Sequence, residues 1–255
     1  MSNSTKKTEL KIQIGGPIAT LIITIIYSVL VFNVDRAPIG PNNTTVGMSK
    51  INGTVAARFG YNSLFDKITD VTMIVAILTA LVFAFIGLMQ LLKTKSLLKV
   101  DKRIIGLGCV YVFVMVLYVF FDKVPLNYRP VLVPGETELE ASFPSTHVMV
   151  ICTIMSTAVA FIKSVLAGRG DIDKDISAKG EGKIDYNTSV SVSGDKVKLR
   201  KALIKCAEII MAVAVVGRIL AGVHWITDII GGLLISSTIT EFYKALFAGD
   251  AEIDD

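Results

Sequence analysis

Apolar residues in this chain come in long blocks, not in alternation and not on a single helical stripe. Five blocks stand out, at about 17–34, 71–92, 104–121, 148–166 and 202–247. A helix needs about 20 apolar residues to cross a hydrocarbon core ~30 Å thick, so each of the first four predicts one membrane-spanning helix. The fifth is too long for one crossing, since at 1.5 Å per residue it would reach about 69 Å, roughly twice a bilayer. It must break, and Gly222-Val223-His224 lies near its middle. The pattern therefore predicts an all-α polytopic bundle, one domain over residues 1–255, with its last two spans at about 202–221 and 224–247.

The first block follows Lys6, Lys7 and Lys11 in the manner of a secretory leader. It is long for such a leader, however, and Phe32-Asn33-Val34-Asp35 lacks the small residues of a cleavage site, so it reads as an uncleaved first span. Residues 35–68 form a loop with turn chemistry at Pro38, Gly40, Pro41 and Asn42-Asn43. Within it Ile51, Val55 and Phe59 recur at helical spacing, which fits a short interfacial helix and a packed loop equally well. Residues 168–199 are polar, mixed in charge and without apolar period, and read as a flexible cytoplasmic loop. Asp171, Asp173 and Asp175 alternate there without the glycine and distal glutamate of a calcium loop, and read as a solvated charge run.

Composition agrees with the blocks. Of 255 residues, 52% are hydrophobic and 19% charged, and the mean hydropathy is +0.62. A soluble domain has about 25% charged residues, so that class is excluded, as is general disorder. The net charge of +4 comes with no basic tract, so nucleic acid is not an expected partner; membrane lipids are. Cys109, Cys152 and Cys206 all sit inside apolar blocks, an odd set with neither a disulfide framework nor zinc spacing. With the N-terminus in the cytoplasm, nineteen lysines and arginines fall on the inner side and seven on the outer, so both termini are expected to be cytoplasmic.

Three of those seven outer cations belong to polar clusters at helix ends. One cluster runs from Asp122-Lys123 to Arg129-Pro130, a second is Pro144-Ser145-Thr146-His147, and a third runs from Arg218 through His224 to Asp228. Parity of the spans puts all three on one face of the membrane, and both histidines of the chain lie in them. Ionisable groups at the bilayer edge are costly and default to a functional reading. Asp228, at i+4 from His224, is expected on the same helix face, where its carboxylate would fix the imidazole tautomer and free the other nitrogen as a nucleophile or base. Ser145 and His147 open a helix whose N–H groups suit an anion. Three cations, two histidines, a carboxylate and a helix start describe a phosphate site. Zinc on the two histidines and the aspartate is a weaker reading, because the neighbouring cations would oppose it. Glu136, Glu138 and Glu140 read as a solvated loop face.

These clusters resemble the three motifs of the type 2 phosphatidic acid phosphatase superfamily, K-x6-R-P, P-S-G-H and S-R-x5-H-x3-D. Arg218, His224 and Asp228 match the third with its spacing, and Pro144, Ser145 and His147 match the second. The chain departs in three places. Lys123 and Arg129 have five residues between them instead of six, Thr146 stands for the glycine, and Gly217 stands for the serine. The resemblance implies that His224 attacks phosphorus, Asp228 orients it, and His147 protonates the leaving group and then activates water. It also implies that Arg218, Arg129, Lys123, Ser145 and the Thr146 backbone bind the phosphate, with no cofactor and no metal. A membrane lipid phosphate is then the expected substrate: phosphatidic acid, phosphatidylglycerol phosphate or a polyprenyl diphosphate. A phosphotransferase of the same fold and a non-catalytic anion or lipid transporter are the competing readings, and nothing in the sequence sets the oligomeric state.

The predicted topology places Thr137 outside and Ser193 inside. In a background lacking the native cysteines, Thr137→Cys should be labelled by an impermeant thiol reagent in intact cells and Ser193→Cys should not. The reverse pattern would invert the orientation.

Overall fold

The computed structural model describes the backbone of residues 3–178 and 186–248, and the side chains of residues 14–165 and 197–248. Among the described residues there are seven α-helices: α1 (Asn3–Asn33), α2 (Ser49–Arg58), α3 (Ser63–Thr94), α4 (Lys102–Lys123), α5 (Thr146–Ala178), α6 (Tyr186–Ala221) and α7 (Ile226–Tyr243), the last running into a π-helical turn at Lys244–Ala248. Among the described residues there is no strand, and isolated bridges join Ala37 to Val46 and Tyr128 to Ala141.

Four segments, Ile14–Asn33, Ser63–Thr94, Lys102–Lys123 and Thr146–Val165, are long and apolar enough to cross a membrane, and the chain is a multi-pass membrane protein. The fifth and sixth expected spans correspond to α6 and α7. Lys205, Glu208 and Arg218 interrupt the apolar face of α6, and Asp228, Glu241 and a run of hydroxyl residues do the same in α7. Composition alone therefore does not mark either as a span.

The helix boundaries depart from the hydropathy blocks in a systematic way. α3 begins at Ser63 and not near Val71, because the Asn62 side chain accepts hydrogen bonds from the Leu64 and Phe65 amides and caps it. Its first two turns carry Asp66, Lys67 and Asp70, which hydropathy assigns to a loop. The expected 35–68 loop thus ends at Asn62 and contains α2. The expected 168–199 loop also shortens, since the backbone stays helical to Ala178 and again from Tyr186; residues 179–185 lie outside the described residues. Elongating an existing helix avoids the nucleation cost, and no proline interrupts either stretch.

α5 is the central helix, packed against α3, α4, α6 and α7. Of its span 67% is buried, compared with 17% in the α1 and α3 spans and 28% in α4. Those three instead turn large apolar side chains outward, among them Ile22, Ile26, Leu78, Phe85, Val112 and Val116, as a lipid solvent permits. Close approach depends on small residues. A Cβ at Gly231 would lie 2.6 Å from the Phe143 ring and one at Gly232 2.8 Å from the Ser145 carbonyl, so the start of α7 can sit on the start of α5. At Gly217 a Cβ would meet the Thr69 methyl at 2.6 Å, so a serine there would have to displace that side chain.

Polar ties fix the same end of the bundle. Asn52 of α2, fully buried, donates to the Gly47 carbonyl at 2.8 Å and to Thr227 Oγ1 at 3.0 Å. The α2 helix is therefore docked on the first turn of α7. Tyr27 of α1 donates to the Thr227 carbonyl at 2.9 Å. At the opposite end Asp101 caps α4 and pairs with Arg103, whose hydrogen bond holds that carboxyl below its ordinary range.

The α6–α7 turn depends on Gly222, which ends α6 with φ +66°. A Cβ there would lie 2.5 Å from the Gly60 carbonyl oxygen and 2.7 Å from that of Phe59. Gly222→Ala should therefore destabilise by about 2–4 kcal/mol, from left-handed strain together with overpacking. A thermal midpoint in detergent equal to wild type would show that the turn tolerates a β-carbon.

Candidate functional site

Four segments converge at one end of α5. The first is an extended pair within the connection from α4 to α5. Arg129 donates its amide to the Glu140 carbonyl at 3.1 Å, and Ser142 donates to that of Asn127 at 3.0 Å. Side chains two apart in an extended segment share a face, so this pairing groups Asn127 with Arg129 and Glu140 with Ser142. Trp225 Nε1 pins the pair by donating to the Tyr128 carbonyl at 2.8 Å. The second segment is the start of α5, where the Ser145 amide donates to the Asp228 carbonyl at 2.9 Å. The third is the α6–α7 junction with Arg218, His224 and Asp228, and the fourth is the start of α3.

Asp228 is fully buried. Its Oδ1 accepts from Asn127 Nδ2 at 3.1 Å, and its Oδ2 accepts from the Trp225 amide at 3.0 Å and from Ser142 Oγ at 2.5 Å. The carboxylate thus caps α7 and holds the connection to α5 at once. The expected direct bond to His224 is absent, since His224 Nδ1 lies 3.9 Å from Asp228 Oδ2. α7 begins only at Ile226, so His224 stands outside the helix and the i+4 geometry does not apply. Ser142 fills the gap, its Oγ lying 3.2 Å from Nδ1. Because the Ser142 hydroxyl proton goes to Asp228, its lone pair is left for an Nδ1–H. That arrangement would set the tautomer through the serine and leave Nε2 its lone pair.

His224 Nε2 is buried and has no hydrogen-bond partner among the described residues. The same is true of Ser145 Oγ, Arg218 Nε and Nη2, Arg129 Nε and His147 Nδ1. Buried polar atoms are normally paired, and several of them converging around one helix start form a cradle for an anion with several oxygens. Both guanidiniums are held from behind. Arg218, 1% exposed, donates Nη1 to Asp66 Oδ1 at 2.6 Å and to Thr69 Oγ1 at 3.1 Å. Arg129 donates Nη1 to Glu140 Oε2 at 2.6 Å, so Glu140 belongs to the cluster and not to a purely solvated face. His147 Nε2 lies 3.1 Å from Asp70 Oδ1. Thr146 is half-buried at the first turn of α5. Lys123 is not brought in; it is 77% exposed at the end of α4 and pairs with Asp122 at 3.0 Å. Among the described residues, no group of three or more His, Cys, Asp and Glu side chains is placed to hold a metal ion.

Sequence reasoning missed Ser142, Asn127, Asp66 and Asp70. The two aspartates had a legible signal, since Asn62 is a cap residue and a helix starting after it carries both carboxylates one turn apart. Ser142 and Asn127 had none, because they meet Asp228 only through the folding of a loop.

Ser142→Ala should leave the protein folded and lower kcat by about 10- to 100-fold, the value of a hydrogen bond to a charged group. Turnover within twofold of wild type, on whichever substrate supports it, would remove the serine from the path between Asp228 and His224.

The comparisons with known proteins agree with this architecture. A solved structure described as the first transmembrane PAP2-type phosphatidylglycerolphosphate phosphatase from Bacillus subtilis shares the fold with a TM-score of 0.54 and 15% identity, over 90% of this chain and 94% of that one. No curated protein sequence matches the chain. The model of the PAP2 superfamily matches residues 104–249, which span every motif of the site from Lys123 to Asp228, and the chain belongs to that superfamily.

Proposed function

We propose that this protein is a metal-independent phosphatase of membrane lipid phosphates that works through a phosphohistidine on His224. The observation that carries the lipid part is a cavity of about 820 Å³ between α3, α4 and α5, lined by Met73, Ile77, Tyr111, Tyr118 and Val150, with His147 also on its wall. It is almost wholly apolar and meets the site at His147, so a tail can lie in it while a phosphate sits among Arg218, Arg129 and Ser145. The Bacillus neighbour, described as acting on phosphatidylglycerol phosphate, is consistent with such a substrate.

In the first step the His224 Nε2 lone pair forms the N–P bond, the bridging P–O bond breaks, and the leaving oxygen takes a proton from His147. The positive charge that develops on His224 is stabilised by Asp228 through the Ser142 hydroxyl that bridges it to Nδ1. In the second step a water oxygen attacks phosphorus, the P–N bond breaks back to Nε2, and His147 takes the water proton. The two guanidiniums and the α5 N-terminus stabilise the phosphoryl oxygens, the task a metal performs elsewhere. Lys123 joins them only if the end of α4 rearranges on substrate binding. The six-span, N-in and C-in topology would open this site on the extracytoplasmic face.

Phosphate release from a lipid phosphate in detergent, with EDTA present, should fall at least ~10⁴-fold in His224→Ala. Near wild-type turnover in that variant, or activity that vanishes with EDTA and returns with added magnesium or zinc, would overturn the mechanism.

A further inference from the structure

The start of α3 contributes two carboxylates to a site built to hold an anion. Asp66 and Asp70 are one turn apart and face the same way. They differ in what they meet. Asp66 is cancelled by the Arg218 guanidinium at 2.6 Å. Asp70 meets only an imidazole nitrogen, His147 Nε2, at 3.1 Å, and its side chain is 56% exposed. The unpartnered atoms of Arg218, which is 1% exposed, and of Ser145, which is fully buried, mark where the phosphoryl oxygens bind. Asp70 thus places a carboxylate beside this cradle that, among the described residues, makes no ion pair with a lysine or arginine.

Its position identifies the part of the substrate it faces. Asp70, Met73 and Ile77 fall on one stripe of α3 at i, i+3 and i+7. Met73 and Ile77 line the apolar cavity, and so does His147. Asp70 therefore stands where the cavity meets the cradle, next to the atoms that join the phosphate to the tail. On the phosphatase reading above, on which this step rests, those atoms are the leaving group protonated by His147.

We propose that Asp70 is a specificity-determining residue that selects substrates whose leaving group is an uncharged alcohol, namely phosphomonoesters, over diphosphates. A monoester presents an uncharged ester linkage there, and any neighbouring hydroxyl can donate to the carboxylate. A diphosphate presents a second phosphoryl group, placing like charges together at the edge of an apolar cavity where screening is weak. Among the substrates expected from sequence, this favours a phosphatidic acid-type or phosphatidylglycerol phosphate-type monoester over a polyprenyl diphosphate.

The test compares geranylgeranyl monophosphate with geranylgeranyl diphosphate, which share a tail, by initial rates of phosphate release. The wild type should favour the monophosphate in kcat/KM by about tenfold or more. Asp70→Asn keeps an oxygen that accepts from His147 and removes the charge, so the diphosphate-to-monophosphate ratio should rise at least about tenfold. Asp66→Asn should lower both substrates together, because its charge is already spent on Arg218. Calorimetric binding of inorganic phosphate and pyrophosphate gives a readout independent of turnover, and Asp70→Asn should tighten pyrophosphate relative to phosphate. Hydrolysis of both lipids with a ratio unmoved by Asp70→Asn, or a wild type that prefers the diphosphate, would overturn the assignment while leaving the phosphatase reading intact. If the wild type hydrolyses neither lipid, the phosphatase reading falls, and the two binding constants still decide the charge argument.

Discussion

The buried carboxylate of Asp228 is the constraint on which the rest of the site depends. A charged group in a helical membrane protein must have every lone pair satisfied, because no water shell substitutes for a missing partner. Asp228 meets that demand with three donors from three places, the Asn127 amide, the Ser142 hydroxyl and the Trp225 backbone N–H. Its own backbone carbonyl takes the Ser145 amide at the head of α5. One residue therefore holds together the α4–α5 connection, the start of α5 and the α6–α7 turn. Removing the carboxyl group would leave three donors unpaired in the interior, so it organises the fold locally before it performs any chemistry.

Lipid as solvent explains why this arrangement is buildable. Apolar burial gives little net attraction between helices when the surroundings are as apolar as the side chains, so contacts between small residues and polar ties set the packing. Gly217, Gly231 and Gly232 let backbones approach at the points where Arg218, Phe143 and Ser145 must be positioned. Thr24 with Thr238 at 2.9 Å and Asn52 with Thr227 at 3.0 Å lock α1 and α2 onto α7. The cavity beside α5 then persists without a soluble-protein penalty, since acyl chains can fill what water would avoid.

Much of this was legible in the sequence, for identifiable reasons. Hydropathy blocks located the four most apolar spans because a bilayer demands length as well as apolarity. The α6–α7 break was legible because one block exceeded a membrane and held a glycine. The cluster of Arg129, Ser145, His147, Arg218, His224 and Asp228 stood out because such residues are rare at span ends. What failed was local geometry. Asp66 and Asp70 looked like loop residues since hydropathy cannot see a capped polar turn extending an apolar helix. The His224–Asp228 spacing looked like one helix face because sequence did not show that α7 starts after His224. Ser142 is one serine in a loop of ordinary loop residues, and only three-dimensional closure sets it between the two.

The two arginines show how the same problem is solved twice, and why a lysine does not substitute. Each guanidinium is anchored by Nη1 on a carboxylate, Arg218 on Asp66 and Arg129 on Glu140, both at 2.6 Å. Anchoring one nitrogen of a planar fork fixes the direction of the others. In Arg218 this leaves Nε and Nη2, the pair suited to a bidentate grip on phosphate, and in Arg129 it leaves Nε. Each anchor also removes one unit of charge, so the site attracts a phosphate without concentrating bare cations at the edge of the hydrocarbon layer. An ammonium has no second edge. Held by a carboxylate it would offer a point charge already neutralised, and left free it would prefer water, as Lys123 does at 77% exposure beside Asp122. The geometry of the fork accounts for why the cradle is made with arginine and the lysine stays outside it.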